Sequence, residues 1–365
     1  MRMTFWLLEL AGLAFLSAVQ AQPRGSEQPL PPLVECGTHD QLEILCGTRS
    51  PEDLEMTPDG KFLIVSQFVN AGRGGGTGAG LVLFDPANQT FTKMAVTSEP
   101  LKDWGERACP GPIGDRLVPH GISLLKRKNG KIQLYVVNHG GRESIEMFEL
   151  TDGAATPALV WHGCVVSKQA YVVSKQAYND VAALPNGGFF ATHPTALVAA
   201  GADLFSLKQS GYVSEWAPGK SEIEVEGTRA GYPNGVVAAA DGRYIYFNAW
   251  TDMEVHKYDL KKRQDVEVVK LDFMPDNLTW TQKGNLLAAG VKGARGDCPS
   301  GSGTPCIQAF AVAEIDPHSM KGKEIFDSKG KGALISGVSV ALQMGDAVYV
   351  GAFQGERLLK FPWKE

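Results

Sequence analysis

Residues 234–250 have the sequence NGVVAAADGRYIYFNAW, in which two apolar runs flank the dipeptide Asp241-Gly242. An Asp-Gly pair between runs rich in Val, Ile, Tyr and Phe is typical of a tight turn that joins two antiparallel strands. The stretch therefore predicts a β-hairpin, and this hairpin begins with a polar pair, Asn234-Gly235.

The same pattern occurs in five other segments, and their starts lie 42 to 68 residues apart. They are EDLEMTPDGKFLIVSQ from Glu52, HGISLLKRKNGKIQLYVVNH from His120, NDVAALPNGGFFATH from Asn179, DNLTWTQKGNLLAAGV from Asp276 and SGVSVALQMGDAVYVGAF from Ser336. The spacing leaves room for about two more strands per repeat, as a propeller blade requires. We predict an all-β fold, a six-bladed β-propeller with four-stranded blades around a central calcium-binding channel. A β-sandwich is the alternative, but it gives no reason for a polar pair at the head of each hairpin.

The polar pairs are the reason to predict calcium in the channel. The first strands of all blades in a propeller line one central channel, so the pairs at their heads are expected to converge there. The pairs are Glu52-Asp53, His120-Gly121, Asn179-Asp180, Asn234-Gly235, Asp276-Asn277 and Ser336-Gly337. Carboxylates that share a partly buried channel repel one another unless a cation is present. Oxygen donors without a thiolate suit Ca²⁺ better than zinc or magnesium. Glu52 and Asn179 would serve one ion, and Asp53 and Asp180 a deeper one. The alternative is that these are ordinary turn and cap residues at strand ends.

Two histidines lie at the two ends of the second hairpin, His120 at its head and His139 at its end. A hairpin brings its two ends together, so both side chains are expected at one mouth of the channel. Calcium is a weaker Lewis acid than zinc, so hydrolysis at a calcium site needs a separate base. A histidine can supply that base near neutral pH.

The composition indicates a folded protein of 365 residues, with 44% hydrophobic residues, 21% charged residues and a net charge of -5. No Lys/Arg-rich run suggests nucleic acid as a partner. Residues 1–21 read as a signal peptide, so we expect a secreted or periplasmic protein. A membrane anchor is the alternative, but the apolar run is short and contains Glu9. Residues 22–35 would form an extended arm that need not pack, and 36–365 a single propeller domain. No stable membrane span is expected later in the chain.

Six cysteines in an exported chain indicate disulfides rather than metal ligands. Fifteen pairings are possible. Local spacing favours Cys36–Cys46 and Cys298–Cys306, which leaves Cys109 for Cys164. The sequence VVSKQAY also occurs twice in tandem, at 165–171 and 172–178, and we expect the added residues to form a loop just before Asn179.

With these segments in hand, the sequence resembles the paraoxonase/arylesterase family, calcium-dependent six-bladed propellers within the gluconolactonase-like superfamily. The resemblance covers most of the chain after the signal. It rests on SPEDLE around Glu52, PHGIS around His120, VVNH ending at His139 and followed by SIEMFEL, NDVAAL from Asn179, PNG around Asn234 and PDN at Asp276-Asn277. The combination is more specific than any one of these motifs.

The resemblance implies two calcium ions and a histidine dyad. The catalytic calcium would be held by Glu52, Asn179, Asn234, Asp276 and Asn277. The structural calcium would be held by Asp53, Asp180 and the backbone carbonyl of Ile122. His120 and His139 would activate water, and His193 and Tyr232 are candidate walls of the substrate pocket. The implied activity is hydrolysis of small-molecule lactones and/or aryl esters, that is, a carboxylic-ester hydrolase.

The sequence departs from the animal enzymes at the C-terminus, LLKFPWKE, which has no cysteine. The family's disulfide between N- and C-terminal strands therefore cannot form, and we expect strand pairing alone to close the ring. Two other functions stay open. One is a non-catalytic propeller that uses calcium for stability and binds a partner; the other is a different chemistry on the same scaffold, as in gluconolactonase-like or strictosidine-synthase-like proteins. Substrate preference resides in loops and is not read from these motifs.

Overall fold

The computed structural model describes residues 32–69, 78–151, 156–168, 177–199, 202–203, 206–293 and 308–364. The strands are β1 (Gly37–His39), β2 (Leu42–Cys46), β3 (Pro51–Met56), β4 (Leu63–Gln67), β5 (Gly80–Asp85), β6 (Thr90–Lys93), β7 (Val96–Ser98), β8 (Pro119–Lys126), β9 (Ile132–Asn138), β10 (Ser144–Thr151), β11 (Ala158–Val166), β12 (Val181–Ala183), β13 (Phe189–His193), β14 (Tyr212–Trp216), β15 (Ile223–Glu224), β16 (Pro233–Ala238), β17 (Tyr244–Ala249), β18 (Glu254–Asp259), β19 (Gln264–Lys270), β20 (Met274–Trp280), β21 (Leu286–Val291), β22 (Phe310–Asp316), β23 (Lys321–Asp327), β24 (Val338–Met344), β25 (Ala347–Ala352) and β26 (Arg357–Pro362). Short 3-10 helices span Gly114–Arg116 and Trp250–Asp252.

These strands form six sheets, each built on one of the predicted hairpins. Four sheets have four strands in chain order: β3 to β6, β12 to β15, β16 to β19 and β20 to β23. The sheet of β8 to β11 gains β7 at its outer edge, parallel to β11. The inner strands β3, β8, β12, β16, β20 and β24 each contact the next, and β24 contacts β3. The six-bladed propeller with four-stranded blades is therefore confirmed.

The hydrophobic core lies between neighbouring blades, and β9 shows how the sequence builds it. Leu134, Tyr135, Val136 and Val137 are all fully buried. Successive side chains of a strand point to opposite faces of the sheet. Leu134 and Val136 accordingly pack against the first blade, whereas Tyr135 and Val137 pack against the third. A strand covered on both faces reads as a continuous apolar run, which explains the VV and YVV stretches in the repeats.

The ring closes through β2, which pairs antiparallel with β26 from Glu43–Lys360 to Cys46–Arg357. The sixth blade thus combines three C-terminal strands, β24 to β26, with two N-terminal strands, β2 and β1, of which β1 lies at the outer edge. Ile44 packs into the core between blades five and six, and Leu45 into the core between blades six and one. Strand pairing therefore provides the closure, as the missing C-terminal cysteine led us to expect.

Two of the predicted disulfides form. Cys36–Cys46 joins the β1–β2 hairpin, and Cys109–Cys164 joins β11 to the segment before β8. Cys298 and Cys306 lie outside the described residues, as do residues 1–31 with the predicted signal peptide.

Two details at the edges of the propeller differ from the sequence interpretation. The end of the predicted arm is packed, because Val34 donates its N–H to Ala333 O at 2.9 Å and accepts a hydrogen bond from Arg357. The first copy of VVSKQAY begins inside β11, at Val165 and Val166, and the loop predicted before Asn179 stays a prediction. The middle of the duplication, residues 169–176, is outside the described residues.

Candidate functional site

The polar pairs lie where the inner strands leave the regular ladder. In β16, Pro233 pairs with Ala249 and Val236 with Phe247, so Asn234-Gly235 falls in a register shift. The same shift occurs after Pro51, Pro119 and Pro275. Proline cannot donate to a ladder and is found at strand starts and bulges. A bulge re-aims a side chain, which directs these polar groups away from the sheet.

Four of the five predicted ligands of the catalytic calcium, from three blades, are linked to one another through direct contacts and charge. Asn277 donates from Nδ2 to Glu52 Oε1 at 2.9 Å and to the Glu52 carbonyl at 3.2 Å. Asn234 hydrogen-bonds Asp276, and burial raises the pKa of the Asp276 carboxyl, with a further contribution from the charge of Glu52. Burial raises the pKa of Glu52 to about 8. Asn179 is buried just before β12, with its N–H on the Thr192 carbonyl.

Four of these five residues have a buried side-chain oxygen without a hydrogen-bond partner. The atoms are Glu52 Oε2, Asn179 Oδ1, Asn234 Oδ1 and Asn277 Oδ1. Each unsatisfied buried acceptor costs about 1–3 kcal/mol, so native proteins rarely keep several in one place. Oxygen acceptors of this kind are the ligands that a hard cation takes. The residues present therefore fit a hard cation.

The donor set also indicates which cation fits. Within the described ranges, no three His, Cys, Asp or Glu side chains group as a metal site. The oxygens beside Glu52 and Asp276 come from neutral amides. A mixed set of carboxylate and amide oxygens suits Ca²⁺, whereas zinc prefers nitrogen and sulfur.

Asp53 and Asp180 form a second acidic pair, each fixed by two backbone N–H groups. Asp53 accepts from Leu54 and Ile122, and Asp180 from Val181 and Val236, all at 2.7–2.8 Å. Burial raises the pKa of both carboxyls well above the usual range, and other carboxylates add to it. The hydrogen bond from the Ile122 N–H to Asp53 also places the Ile122 backbone beside this carboxyl.

Glycine at position 121 is required by this pair. A Cβ added there would lie 2.3 Å from Asp180 Oδ1 and 2.6 Å from Asp180 Cα. The His120-Gly121 pair therefore contributes a histidine to one site and the absence of a side chain to the other.

The two histidines meet as predicted. His120 Nδ1 lies 2.9 Å from His139 Nε2, and His139 Nδ1 lies 2.8 Å from Glu143 Oε2. On its other side, His120 Nε2 lies 3.5 Å from Glu52 Oε1, which links the pair to the metal-ligand candidates. Burial lowers the pKa of His120 to about 3 and also lowers that of His139, so both rings are neutral at neutral pH.

The two candidate pocket residues, Tyr232 and His193, have different surroundings. Tyr232 has a left-handed backbone with φ of 53°. Burial raises the pKa of its phenol, and the charges of Asp276 and Glu52 add to the effect, which places the ring beside the candidate metal ligands. His193 is not brought to the pair: it hydrogen-bonds Ser214 and Glu222 in a cavity of about 150 Å³. It is the last residue of β13, the second strand of the third blade.

Three residues at the site were missed by the sequence interpretation. Phe68 stacks on His120 with ring centroids 4.2 Å apart. Ser339 donates to the Glu52 carbonyl at 2.6 Å, so the sixth blade reaches this carbonyl through β24 rather than through the predicted Ser336-Gly337 pair. Glu143 is the third. The hairpin argument that paired His139 with His120 also applies to Phe68, which follows β4 opposite the head of β3.

No helix among the described residues is long and apolar enough to span a bilayer.

Comparison with known proteins identifies the family. The chain is 26% identical over 169 residues to human serum paraoxonase/lactonase 3, which covers 44% of this chain and 45% of that relative. The chain thus spans less than half the length of this relative. Among solved structures, the luciferin-regenerating enzyme superposes with a TM-score of 0.50 at 14% identity, covering 88% of this chain and 94% of that one. A structure assigned as a gluconolactonase has the same TM-score at 16% identity, with coverage of 88% and 92%. These two likenesses show the fold.

The arylesterase family model matches residues 107–354, about two thirds of the chain. The matched range includes the histidine pair, Asn179, Asp180, Asn234, Asp276 and Asn277, while Glu52 and Asp53 precede it. With the six-bladed ring and this match, the chain belongs to the arylesterase family.

Proposed function

We propose that this protein is a calcium-dependent hydrolase of lactones, aryl esters or both. The observation that carries the proposal is the position of the neutral His120–His139 pair, 3.5 Å from a carboxylate whose neighbours present unpartnered buried oxygens. A candidate base beside a candidate cation site supports metal-assisted ester hydrolysis, which needs both groups close to the substrate carbonyl. Membership of the arylesterase family supports the same class of substrate.

Glu52, Asn179, Asn234, Asp276 and Asn277 would hold the catalytic calcium, and Asp53, Asp180 and the Ile122 carbonyl would hold the structural one. The catalytic ion would supply Lewis-acid polarisation of a substrate carbonyl. The amide of Asn277 keeps the Glu52 carboxylate oriented, and Ser339 fixes the backbone of the same residue. Asp53 and Asp180 bind backbone N–H groups of the first to fourth blades and thereby hold the channel walls in register.

His120 would act as the general base. It takes one proton from a water molecule as the water oxygen bonds to the carbonyl carbon. The tetrahedral adduct then collapses, the carbon–oxygen bond to the leaving alcohol or phenol breaks, and the proton passes to that oxygen. His139 Nε2 would accept a hydrogen bond from His120 Nδ1–H through the 2.9 Å contact and so stabilise the charge that His120 gains, and Phe68 holds the His120 ring by stacking. Tyr232 would form part of the wall against which the substrate lies.

We also propose that the protein is exported. The N-terminal apolar run and the two disulfides of the described chain support an oxidising compartment, because such bonds persist outside the cytosol.

Hydrolysis of phenyl acetate and of a series of lactones, measured with calcium and with excess EGTA, tests the proposal. We expect turnover only with calcium, and His120→Gln should lower kcat at least tenfold on the basis of typical general-base contributions. The matched control is His256→Gln, because His256 is also buried, stacked on a phenylalanine and paired with a carboxylate, but lies in the fourth blade.

Activity that is unchanged in EGTA would contradict the calcium mechanism. Calcium binding without turnover of any ester or lactone would instead favour the non-catalytic propeller. Equal loss of activity in both histidine variants would show a general effect on folding rather than a role for His120.

A further inference from the structure

We propose that Glu143 is a positioning residue that sets the protons of the histidine pair, so that Nε2 of His120 is the atom that accepts a proton. The catalytic meaning of this inference rests on the proposed function, whereas the proton arrangement itself does not.

Glu143 ends a continuous chain of three side chains. Its carboxylate oxygens lie 2.8 and 3.0 Å from His139 Nδ1, and His139 Nε2 lies 2.9 Å from His120 Nδ1. The turn between β9 and β10 places Glu143 four residues after His139, so the contact is local to one hairpin. Glu143 and His139 are both largely buried, with side chains 19% and 7% exposed.

The order of protons along this chain follows from the hydrogen-bonding capacity of each group. An ionised carboxylate can only accept, so His139 Nδ1 must carry the hydrogen. A neutral His139 then has a lone pair on Nε2, which must accept from His120 Nδ1–H. A neutral His120 therefore has its lone pair on Nε2, the nitrogen that faces Glu52 at 3.5 Å. The carboxylate of Glu143 thus determines which atom of His120 is basic.

The carboxylate is itself held in place by backbone. Ala177 donates its N–H to Glu143 Oε2 at 2.7 Å, and Ser167 donates its N–H to the Glu143 carbonyl at 2.9 Å. Ser167 belongs to the first copy of VVSKQAY and Ala177 to the second. Both copies of the duplication therefore contact the residue that orients the histidines, which relates a sequence feature without a predicted function to the candidate site.

The test is the tautomeric state of His120 and His139 in the full-length, ¹⁵N-labelled protein with calcium, read from long-range ¹H–¹⁵N spectra. His120→Gln and His139→Gln assign the signals. In the wild-type protein, we expect Nδ1–H and unprotonated Nε2 in both rings. In Glu143→Gln, the amide can donate as well as accept, so both rings should shift partly to the Nε2–H form.

The matched control is Glu149→Gln, because Glu149 lies in the same blade and accepts from another histidine, His162, at 2.8 Å. This variant should change only the His162 signals. If the proposed function holds, Glu143→Gln should lower kcat by about ten- to a hundredfold with little change in KM, since part of the general-base contribution is lost.

A wild-type spectrum with Nε2–H in His120 would overturn the inference, and this result needs no variant. Unchanged His120 and His139 signals in Glu143→Gln would overturn it as well. Failure of the wild-type protein to hydrolyse any ester would contradict the proposed function, while the spectra would still decide the role of Glu143.

Discussion

The effect of Asp276→Asn on the stability of the protein should change sign when calcium is removed. Asp276 is buried, and burial, followed by the charge of Glu52, raises the pKa of its carboxyl well above the usual range. Without a cation, replacing this acid by a neutral amide removes the free-energy cost of burying an ionisable group beside Glu52. With a cation, the same change removes one of two carboxylates from the predicted catalytic site, and the affinity of calcium sites depends on ligand charge. The variant should therefore be at least as stable as the wild type in EGTA but less stable in calcium.

The size of the effect follows from binding linkage. Calcium at about 100 times its Kd stabilises the native state by about 2.7 kcal/mol. About 1 kcal/mol shifts the Tm of a large domain by roughly 2–4 °C. The wild-type Tm should thus rise by about 5–10 °C on adding calcium. Loss of one charged ligand should raise the Kd of the catalytic ion at least tenfold, equivalent to about 1.4 kcal/mol, and the calcium response of the variant should shrink accordingly.

The assay is thermal unfolding of wild type, Asp276→Asn and Asp259→Asn at several calcium concentrations, with calcium stoichiometry measured by titration calorimetry. Asp259 is an equally buried aspartate, paired with Arg243 at 2.9 Å on the outside of the fourth blade. Asp259→Asn should lower Tm by the same amount with and without calcium. If Asp276→Asn bound two ions with unchanged affinity and responded to calcium like the wild type, Asp276 would not be a metal ligand.

Two further predictions concern the second acidic pair and the closing strand. Gly121→Ala should lower Tm and lose the deeper of the two predicted calcium ions, because the added Cβ would overlap Asp180. The control is Gly322→Ala, whose Cβ would meet only ordinary contacts, and this variant should still bind two ions in titration calorimetry. Binding of two ions by Gly121→Ala would disprove the crowding argument. Ile44→Ala in β2 should destabilise the protein by about 2–5 kcal/mol through the cavity it leaves between blades five and six. Denaturant unfolding measures this loss, and a change below about 1 kcal/mol would mean that β2 contributes little to closure.

Much of the fold is predictable because each repeat contains the local sequence signals of its own β-hairpin. Each of the six turns is punctuated by a glycine or by a residue pair with known turn chemistry, and each hairpin was found where expected. The convergence of Glu52, Asp180, Asn234 and Asp276 followed from applying one geometric rule to equivalent positions. The two described disulfides followed from spacing in the sequence.

The remaining features depend on three-dimensional neighbours that a local pattern does not encode. Phe68 and Ser339 lie in ordinary apolar strands or their ends and acquire a role only because another blade is adjacent. His139 follows the last residue of β9, whereas His193 is itself the last residue of β13 and hydrogen-bonds Ser214. Proline marks strand starts, so four prolines indicate where the bulges that direct the polar pairs lie: Pro51, Pro119, Pro233 and Pro275. The number of strand residues left without a ladder partner depends on the pairing with the neighbouring strand, which the sequence does not specify.

The composite sixth blade has a consequence for biogenesis. Glu43 and Lys360 are neighbours in space and 317 residues apart in the chain. β2 can pair with β1 locally, but its other edge stays unpaired until ribosomes have translated β26. Glu52 follows β2 by six residues, and the same docking event brings its carboxylate to Asn277. At the proposed calcium site, ion binding and ring closure would then be reciprocally coupled: calcium would stabilise the closed ring, and a proteolytic cut that released the N-terminal strand would lower metal affinity.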